Sequence, residues 1–368
     1  MKLTYEPLGK YVRLVDERNV NMVTETVLGI NIEKYFMPSV ANVIGTDLSN
    51  YKLLRNGRFA CNPMHVGRDG RLPVARYTDD MPAIVSPAYF MFEIIDETII
   101  EPNYLMLCFR RSDFDRMCWF RTDASVRGGI TWEDVCALTI PVPSIDEQRK
   151  IVHDYQVIED RIKLLRSFND NLYAYLNSQF ESLVADASAF VPLSSVCDYV
   201  DDKSDFGSLI EQNYLSTENF LQNKQGISCF GEIEDDVRVT SFQVGDTLIS
   251  NIRPYFKKIW FATVSGGCNA DVLCFRAHHP EDACFLNAVL YQDKFFAYVM
   301  SGAKGTKMPR GDKGHIMQYS VPVLSQDKRE VFFKLARTIQ TLQATNKKEI
   351  DVLQKILMLF ICSIAKGV

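Results

Sequence analysis

The sequence predicts an α+β protein. Two β-rich domains form an internal repeat, each is followed by a long helix, and the two helices pair as an antiparallel coiled coil. Three observations carry this reading. Motif pairs recur at a nearly constant offset, short runs of Val, Ile, Tyr and Phe alternate with Gly and Pro, and two long stretches hold a sustained 3-4 apolar spacing. In a chain of 368 residues, at roughly 100–200 residues per domain, two or three domains are expected.

The repeat is read first, because a missed period misassigns a whole fold. Ile140-Pro-Val-Pro-Ser-Ile-Asp146 and Val321-Pro-Val-Leu-Ser-Gln-Asp327 lie 181 positions apart, and each runs into a charged-apolar segment. Pro7-Leu8 precedes Val12 as Pro192-Leu193 precedes Val196 and Val200. Glu33 and Tyr35 match Glu218 and Phe220, and Arg55-Asn-Gly-Arg-Phe-Ala-Cys-Asn62 parallels Gln243-Val-Gly-Asp-Thr-Leu-Ile-Ser-Asn251 with one insertion. The boundaries follow: a β-rich domain over 1–143, a long helix within 144–186, a second β-rich domain over 187–323, and a second long helix within 324–368. Inside the domains, 88–95 and 271–276 read as strands, and 104–116 and 283–300 read as helices.

The first long helix carries Ile151, Tyr155, Ile158, Ile162, Leu165, Asn169, Leu172, Leu176, Gln179 and Leu183 at 3-4 spacing, eight of ten apolar. The second carries Phe332, Ala336, Ile339, Gln343, Asn346, Ile350, Leu353, Leu357, Phe360 and Ile364, again eight of ten. A period of 3.5 held over about five heptads is a coiled-coil seam. About 38 residues at 1.5 Å each make a rod of roughly 55 Å. Pro143 and Ser144 before Glu147 supply an N-cap with a capping-box acid. Ser325 and Lys328 open the second helix with weaker signals.

Composition narrows the function. Lys and Arg total 41, Asp and Glu 46, so the net charge is −5, which excludes a uniformly basic nucleic-acid binder but not local basic patches. Hydrophobic content of 47% and charged content of 24% are those of a soluble globular protein. The longest apolar stretch, 356–365, is far short of the ~20 residues a membrane span needs. With no signal peptide at the N-terminus, a cytoplasmic protein without membrane contact is expected. The ten cysteines form no C-x-x-C pair and read as reduced core residues, and His278-His279 before Pro280 reads as a loop. No metal site is expected. No phosphate-binding, dinucleotide, zinc-protease or nucleophile-elbow motif is present, and Asn62-Pro63-Met64 reads as a turn. No catalytic residue is assigned.

Positive charge is locally concentrated. Residues 55–76 hold Arg55, Arg58, Arg68, Arg71 and Arg76 against Asp69 alone, a local +4. Residues 252–258 hold Arg253, Lys257 and Lys258 with Tyr255 and Phe256 and no acid. The Gly-rich stretch 302–314 holds Lys304, Thr306, Lys307, Arg310 and Lys313 against Asp312. Flexible, cationic backbone can approach phosphates closely. Of these, Arg55, Arg58, Arg68, Arg71, Arg253, Tyr255, Lys257, Lys258, Lys304, Thr306, Lys307, Arg310 and Lys313, with Asn62 and Arg127, are the candidate DNA contacts. The lysines beside glycine suit phosphates, whereas the planar forks of Arg253 and Arg310 suit a guanine edge.

A β-rich domain, an Ile-Pro-Val-Pro-Ser-Ile-Asp-Glu-Gln-Arg-Lys-Ile-Val boundary and a long helix, the whole repeated, resemble the specificity subunit of Type I restriction–modification systems. Pro143 to Ile151 with Glu147 and Gln148 is the most telling stretch; 244–255 and the basic Gly-rich loop also look like family features. The second boundary lacks the Glu-Gln pair, and the first copy's Gly-rich loop is reduced to Arg127-Gly128-Gly129. The resemblance implies that each β-rich segment is a target recognition domain reading one half of a bipartite sequence in double-stranded DNA. It also implies that the helices set the gap and dock two methyltransferase subunits. S-adenosylmethionine, ATP and Mg would then belong to those and to a restriction–translocase subunit, with no cofactor on this chain. Two other readings stay open: a coiled-coil scaffold that binds no DNA, and the recognition subunit of a methylation-only system.

Overall fold

The computed structural model describes residues 4–39, 45–64, 66–122, 128–185 and 187–364. The chain divides into two compact units, Met1–Leu164 with Ile350–Val368, and Leu165–Glu349. The long helices Ile145–Val184 and Gln326–Ile364 each give one half to either unit.

In the first unit a four-stranded antiparallel sheet runs in the order Val12–Leu14, Phe90–Ile94, Phe59–Cys61, Val74–Arg76. Its strands are built from aromatic and β-branched residues that suit a half-buried pleat. Phe59 and Phe92, directly opposite in register, stack at 5.3 Å, and Phe109 meets both rings edge-on. Two antiparallel strand pairs, Leu28–Ile30 with Phe36–Pro38 and Lys52–Leu54 with Ala83–Val85, cover a smaller core around Leu54, Tyr77 and Met91. In the second unit the order is Cys197–Tyr199, Val272–Ala277, Thr247–Ser250, Ile259–Phe261. That is the same topology in the same chain order, so the repeat read from the sequence is a repeat of structure. The smaller sheets differ: the second unit has a four-stranded one of Lys203–Asp205, Arg238–Phe242, Gly266–Cys268 and Tyr214–Leu215.

The segments 104–116 and 283–300 are not single helices. Each is two, Pro102–Phe109 with Ser112–Phe120 and Ala283–Leu290 with Asp293–Ser301. The breaks fall at equivalent places, where Arg111 (φ −69°, ψ 136°) and Gln292 (φ −69°, ψ 142°) are extended. Arg111 is fully buried and its guanidinium is held by Asp113.

Both units close on a short antiparallel strand pair, Tyr5–Pro7 with Thr139–Pro141 and Phe190–Pro192 with Ser320–Pro322. The long helices start directly after. Ser144 and Glu147 form the expected capping box: the Ser144 hydroxyl accepts from the Glu147 N–H, and the Glu147 carboxylate accepts from the Ser144 N–H. Gln148, wholly buried, accepts from the Glu101 N–H at 2.9 Å and donates to the carbonyls of Ile99 and Pro143. In the second copy the position of Gln148 is taken by Arg329, which pairs with Asp282 at 3.3 Å. An ion pair replaces an amide clasp at the same joint.

The helices run antiparallel. In the first unit Tyr155 meets Phe360 (ring centroids 6.3 Å), and Ile151 and Ile364 join the core. In the second, Phe180 meets Phe332 (5.7 Å), and Leu176, Ala336 and Ile339 enter the core with Phe285. Ile162, Leu165, Ile350 and Leu357 are buried, while Ile158, Leu172 and Leu353 are half-buried. Near the end of the first helix Phe180, not Gln179, faces inward, because a helix turning every 3.6 residues drifts off a 3.5 repeat. Asn169 and Asn346 break both stripes at the same level: the Asn346 amide donates to Asn169 Oδ1 at 2.7 Å.

Candidate nucleic-acid interface

The second unit brings two of the basic segments together. The strand Thr247–Ser250 ends at Asn251, whose N–H donates to the Asp271 carbonyl. The chain then turns into Ile252 and Arg253. Arg253 donates its N–H to the Pro309 carbonyl at 2.8 Å, and Ile252 bridges Arg310. Lys304 and Arg310 exchange backbone hydrogen bonds at 2.9 Å, closing the Gly-rich loop on itself. Gly311 lets this loop lie against the strand end; a Cβ there would stand 2.9 Å from Asn251 Oδ1 and 2.8 Å from Val299 Cγ1.

The side chains at this junction fall into three groups. Lys307 and Thr306 are exposed at the loop tip. Tyr255, 47% exposed, projects from the neighbouring turn. Other cations are partly neutralised: Lys304 by Asp312, whose carboxyl it helps hold down to about 2, Arg310 by Asp271 at 3.1 Å, and Lys257 by Asp293 at 3.0 Å. Lys313 lies over the Tyr199 ring at 5.5 Å. Lys258 turns inward, donating to the Thr217 carbonyl at 2.8 Å, and burial lowers its pKa. That bond ties this partly buried lysine to the neighbouring segment.

The first unit is different. Its +4 cluster is offset by acids far away in sequence. Glu17 takes both Arg55 (2.7 Å) and Arg58 (2.6 Å), and the hydrogen bond from Arg55 is the chief cause of its lowered pKa. Arg71 pairs with Glu33 and Arg68 with Asp69, each at 2.6 Å. Asn62 is a turn residue, its Oδ1 accepting from the Met64 N–H. The equivalent loop junction exists here too, since Gly67 donates to the Gly128 carbonyl at 2.8 Å. That contact is so close that a Cβ on Gly128 would stand 2.5 Å from Gly67 Cα. Arg127 lies outside the described residues.

Three features were not foreseen. Asn251 Oδ1, Asn269 Oδ1 and Arg253 Nε are buried with no partner among the described residues. Lys224 joins the site by sharing Asp293 with Lys257, at 2.7 Å. The carboxylates that mask the first cluster, Glu17 and Glu33, sit 38 positions before Arg55 and Arg71, so a local charge count could not find them. Among the described residues no group of His, Cys, Asp and Glu could hold a metal ion, no helix is long and apolar enough to cross a membrane, and all ten cysteines are free thiols.

No family model matches the chain, and no curated protein matches it in sequence. Solved structures do match. The fold, two β-rich heads with a pair of long helices, is that of Type I restriction–modification S subunits. The S subunit from M. genitalium superposes with a TM-score of 0.55 at 13% identity, covering 99% of this chain and 96% of that one. A chain from a structure describing complex assembly and conformational transition of the type I R-M system gives 0.50 at 15% identity, covering 100% and 99%. The HsdS subunit from Thermoanaerobacter tengcongensis gives 0.39 at 15% identity.

Proposed function

We propose that this chain is the sequence-specific DNA-binding subunit of a Type I restriction–modification complex. In this reading each β-rich head reads one half of a bipartite target in double-stranded DNA. The paired helices set the gap and carry two methyltransferase subunits, a restriction–translocase subunit completes the assembly, and S-adenosylmethionine, ATP and Mg belong to those partners. The observation that carries the reading is the end-to-end likeness to an S subunit over 99% of the chain, which extends through both heads and both helices. The paired basic loops of the second unit add a physical reason: cationic loops on a rigid sheet end are a means of holding a phosphate backbone.

The direct test is to map methylated bases in a genome with and without this gene, its partner subunits present. A bipartite motif that disappears with the gene is expected; an unchanged methylation pattern would refute the proposal. Alone, the chain should neither consume S-adenosylmethionine nor cut DNA. Binding should also be electrostatically lopsided. Lys307→Ala removes an exposed cation and should reduce the slope of log K against log salt by about 0.9. Arg71→Ala removes a cation already paired with Glu33 and should leave the slope nearly unchanged. Titrations at several salt concentrations check both, and equal slopes for the two variants would refute the lopsided contact.

A further inference from the structure

The turn Pro254–Phe256 is held between two residues in the left-handed region, Arg253 (φ 52°, ψ 64°) and Lys257 (φ 50°, ψ 48°). Neither is glycine, and for a residue with a Cβ that conformation is unfavourable. The segment facing it is strained in the same way: Asn223 has φ 54° and Lys224 φ 63°. Four of the six left-handed non-glycine residues among those described are thus gathered at one place. Such strain persists only where the surroundings over-determine it, and it concentrates at functional sites.

The surroundings do over-determine it. The Phe256 N–H donates to the Arg253 carbonyl and the Lys257 N–H to the Pro254 carbonyl. Asn223 and Lys224 donate to the carbonyls of Phe256 and Lys257, both at 2.9 Å. Asp293 clamps the lysines of both segments. Pro254 is buried, while Tyr255 is 47% exposed, its ring 4.7 Å from that of Phe256. The backbone is fixed, and the Tyr255 side chain at its apex presents about half of its surface to solvent.

We propose that residues 253–257 form a pre-strained finger whose apex, Tyr255, packs against a base edge in the DNA half-site served by the second unit. The inference rests on the DNA-binding function proposed above and adds to it a residue and a physical device. A rigid aromatic presented without further ordering loses little entropy on contact. DNA is the occupant favoured here because Arg253 Nε, at the base of the turn, has no hydrogen-bond partner among the described residues and the cationic Lys304–Arg310 loop is bonded to the same turn.

The test uses the full chain and a duplex selected by it from a random pool. Tyr255→Ala should melt as the wild type does yet bind the selected duplex at least 10-fold more weakly, with the first half-site preference and the salt slope unchanged; Tyr255→Phe should keep most of the affinity. The strain is tested by comparing Lys257→Gly with Lys257→Ala, which lose the same charge and differ only at the backbone. Lys257→Gly should melt roughly 1–2 °C higher, since glycine accepts the left-handed region, but bind about 5-fold more weakly because the finger is loosened. Wild-type affinity with an unchanged preference in the second half-site for Tyr255→Ala, or binding by Lys257→Gly equal to that of Lys257→Ala, overturns the finger and leaves the DNA-binding reading standing. Failure of the wild type to select any duplex overturns both.

Discussion

Replacing Ile339 by aspartate is expected to abolish folding of the unit Leu165–Glu349. Ile339 is 3% exposed and sits in the core where both long helices meet the second head, beside Phe180, Phe285 and Phe332. Loss of its burial costs about 1.5–3 kcal/mol, and a buried carboxylate without a partner adds several more. Together these reach the ~5–15 kcal/mol that stabilises a whole domain. Urea denaturation of the full chain should show the transition of that unit missing, whereas Ile339→Val should lower stability by only about 0.5–1.5 kcal/mol. Ile158→Asp, at a half-buried position, should be milder. A folded Ile339→Asp chain with an unshifted midpoint would contradict this account of the core.

The second large effect is expected from Asp115→Ala. Lys34 Nζ lies 2.7 Å from Asp115, with the two side chains only 4% and 11% exposed. Lys34 also donates to the Phe109 carbonyl, and Asp115 accepts from the Leu72 N–H at 3.1 Å. Removing the carboxylate strands a buried ammonium, at a cost of about 3–5 kcal/mol. Burial already lowers the pKa of Lys34, and Asp115 opposes that shift. Without Asp115 the pKa falls further. The unfolded chain then binds the proton that the folded chain rejects, so the variant should regain stability as pH rises from neutrality toward the ordinary lysine value. Replacing both residues by apolar ones, Lys34→Met with Asp115→Leu, should restore much of the loss. Denaturation midpoints at pH 7 and 9 decide the matter; a variant whose deficit is the same at both would exclude a buried charge as the cause.

The architecture was legible in the sequence because its signals are periodic and long. Ten positions per helix at 3-4 spacing mark a seam without help from tertiary structure, and the Pro-Val motifs at 140 and 321 mark the joints. The helix breaks at Arg111 and Gln292 were not legible, because neither residue is a breaker; Arg111 is buried with its guanidinium 6.0 Å from the Tyr5 ring, a contact no local pattern announces. The same limit governs the site. Counting charges along the chain made residues 55–76 look like the strongest basic patch, but Glu17 and Glu33 arrive from distant segments to offset half of it. The adjacency of Arg253 and Pro309, 56 positions apart in the numbering, is likewise a product of topology. What could be read locally was the composition of each loop; which loops share a surface could not.

The strand pairs Tyr5–Pro7 with Thr139–Pro141 and Phe190–Pro192 with Ser320–Pro322 have a consequence for inheritance. Hydrogen-bonded antiparallel neighbours lie about 5 Å apart, so the chain enters and leaves each head through one doorway. A head cut at that doorway has two ends that nearly touch, while its core is completed by side chains of the long helices. Exchanging it by recombination within the short Pro-Val joints would replace everything from one doorway strand to the other and leave both long helices uncut. The polypeptide is therefore laid out so that one head can be traded without rewriting the frame that carries it.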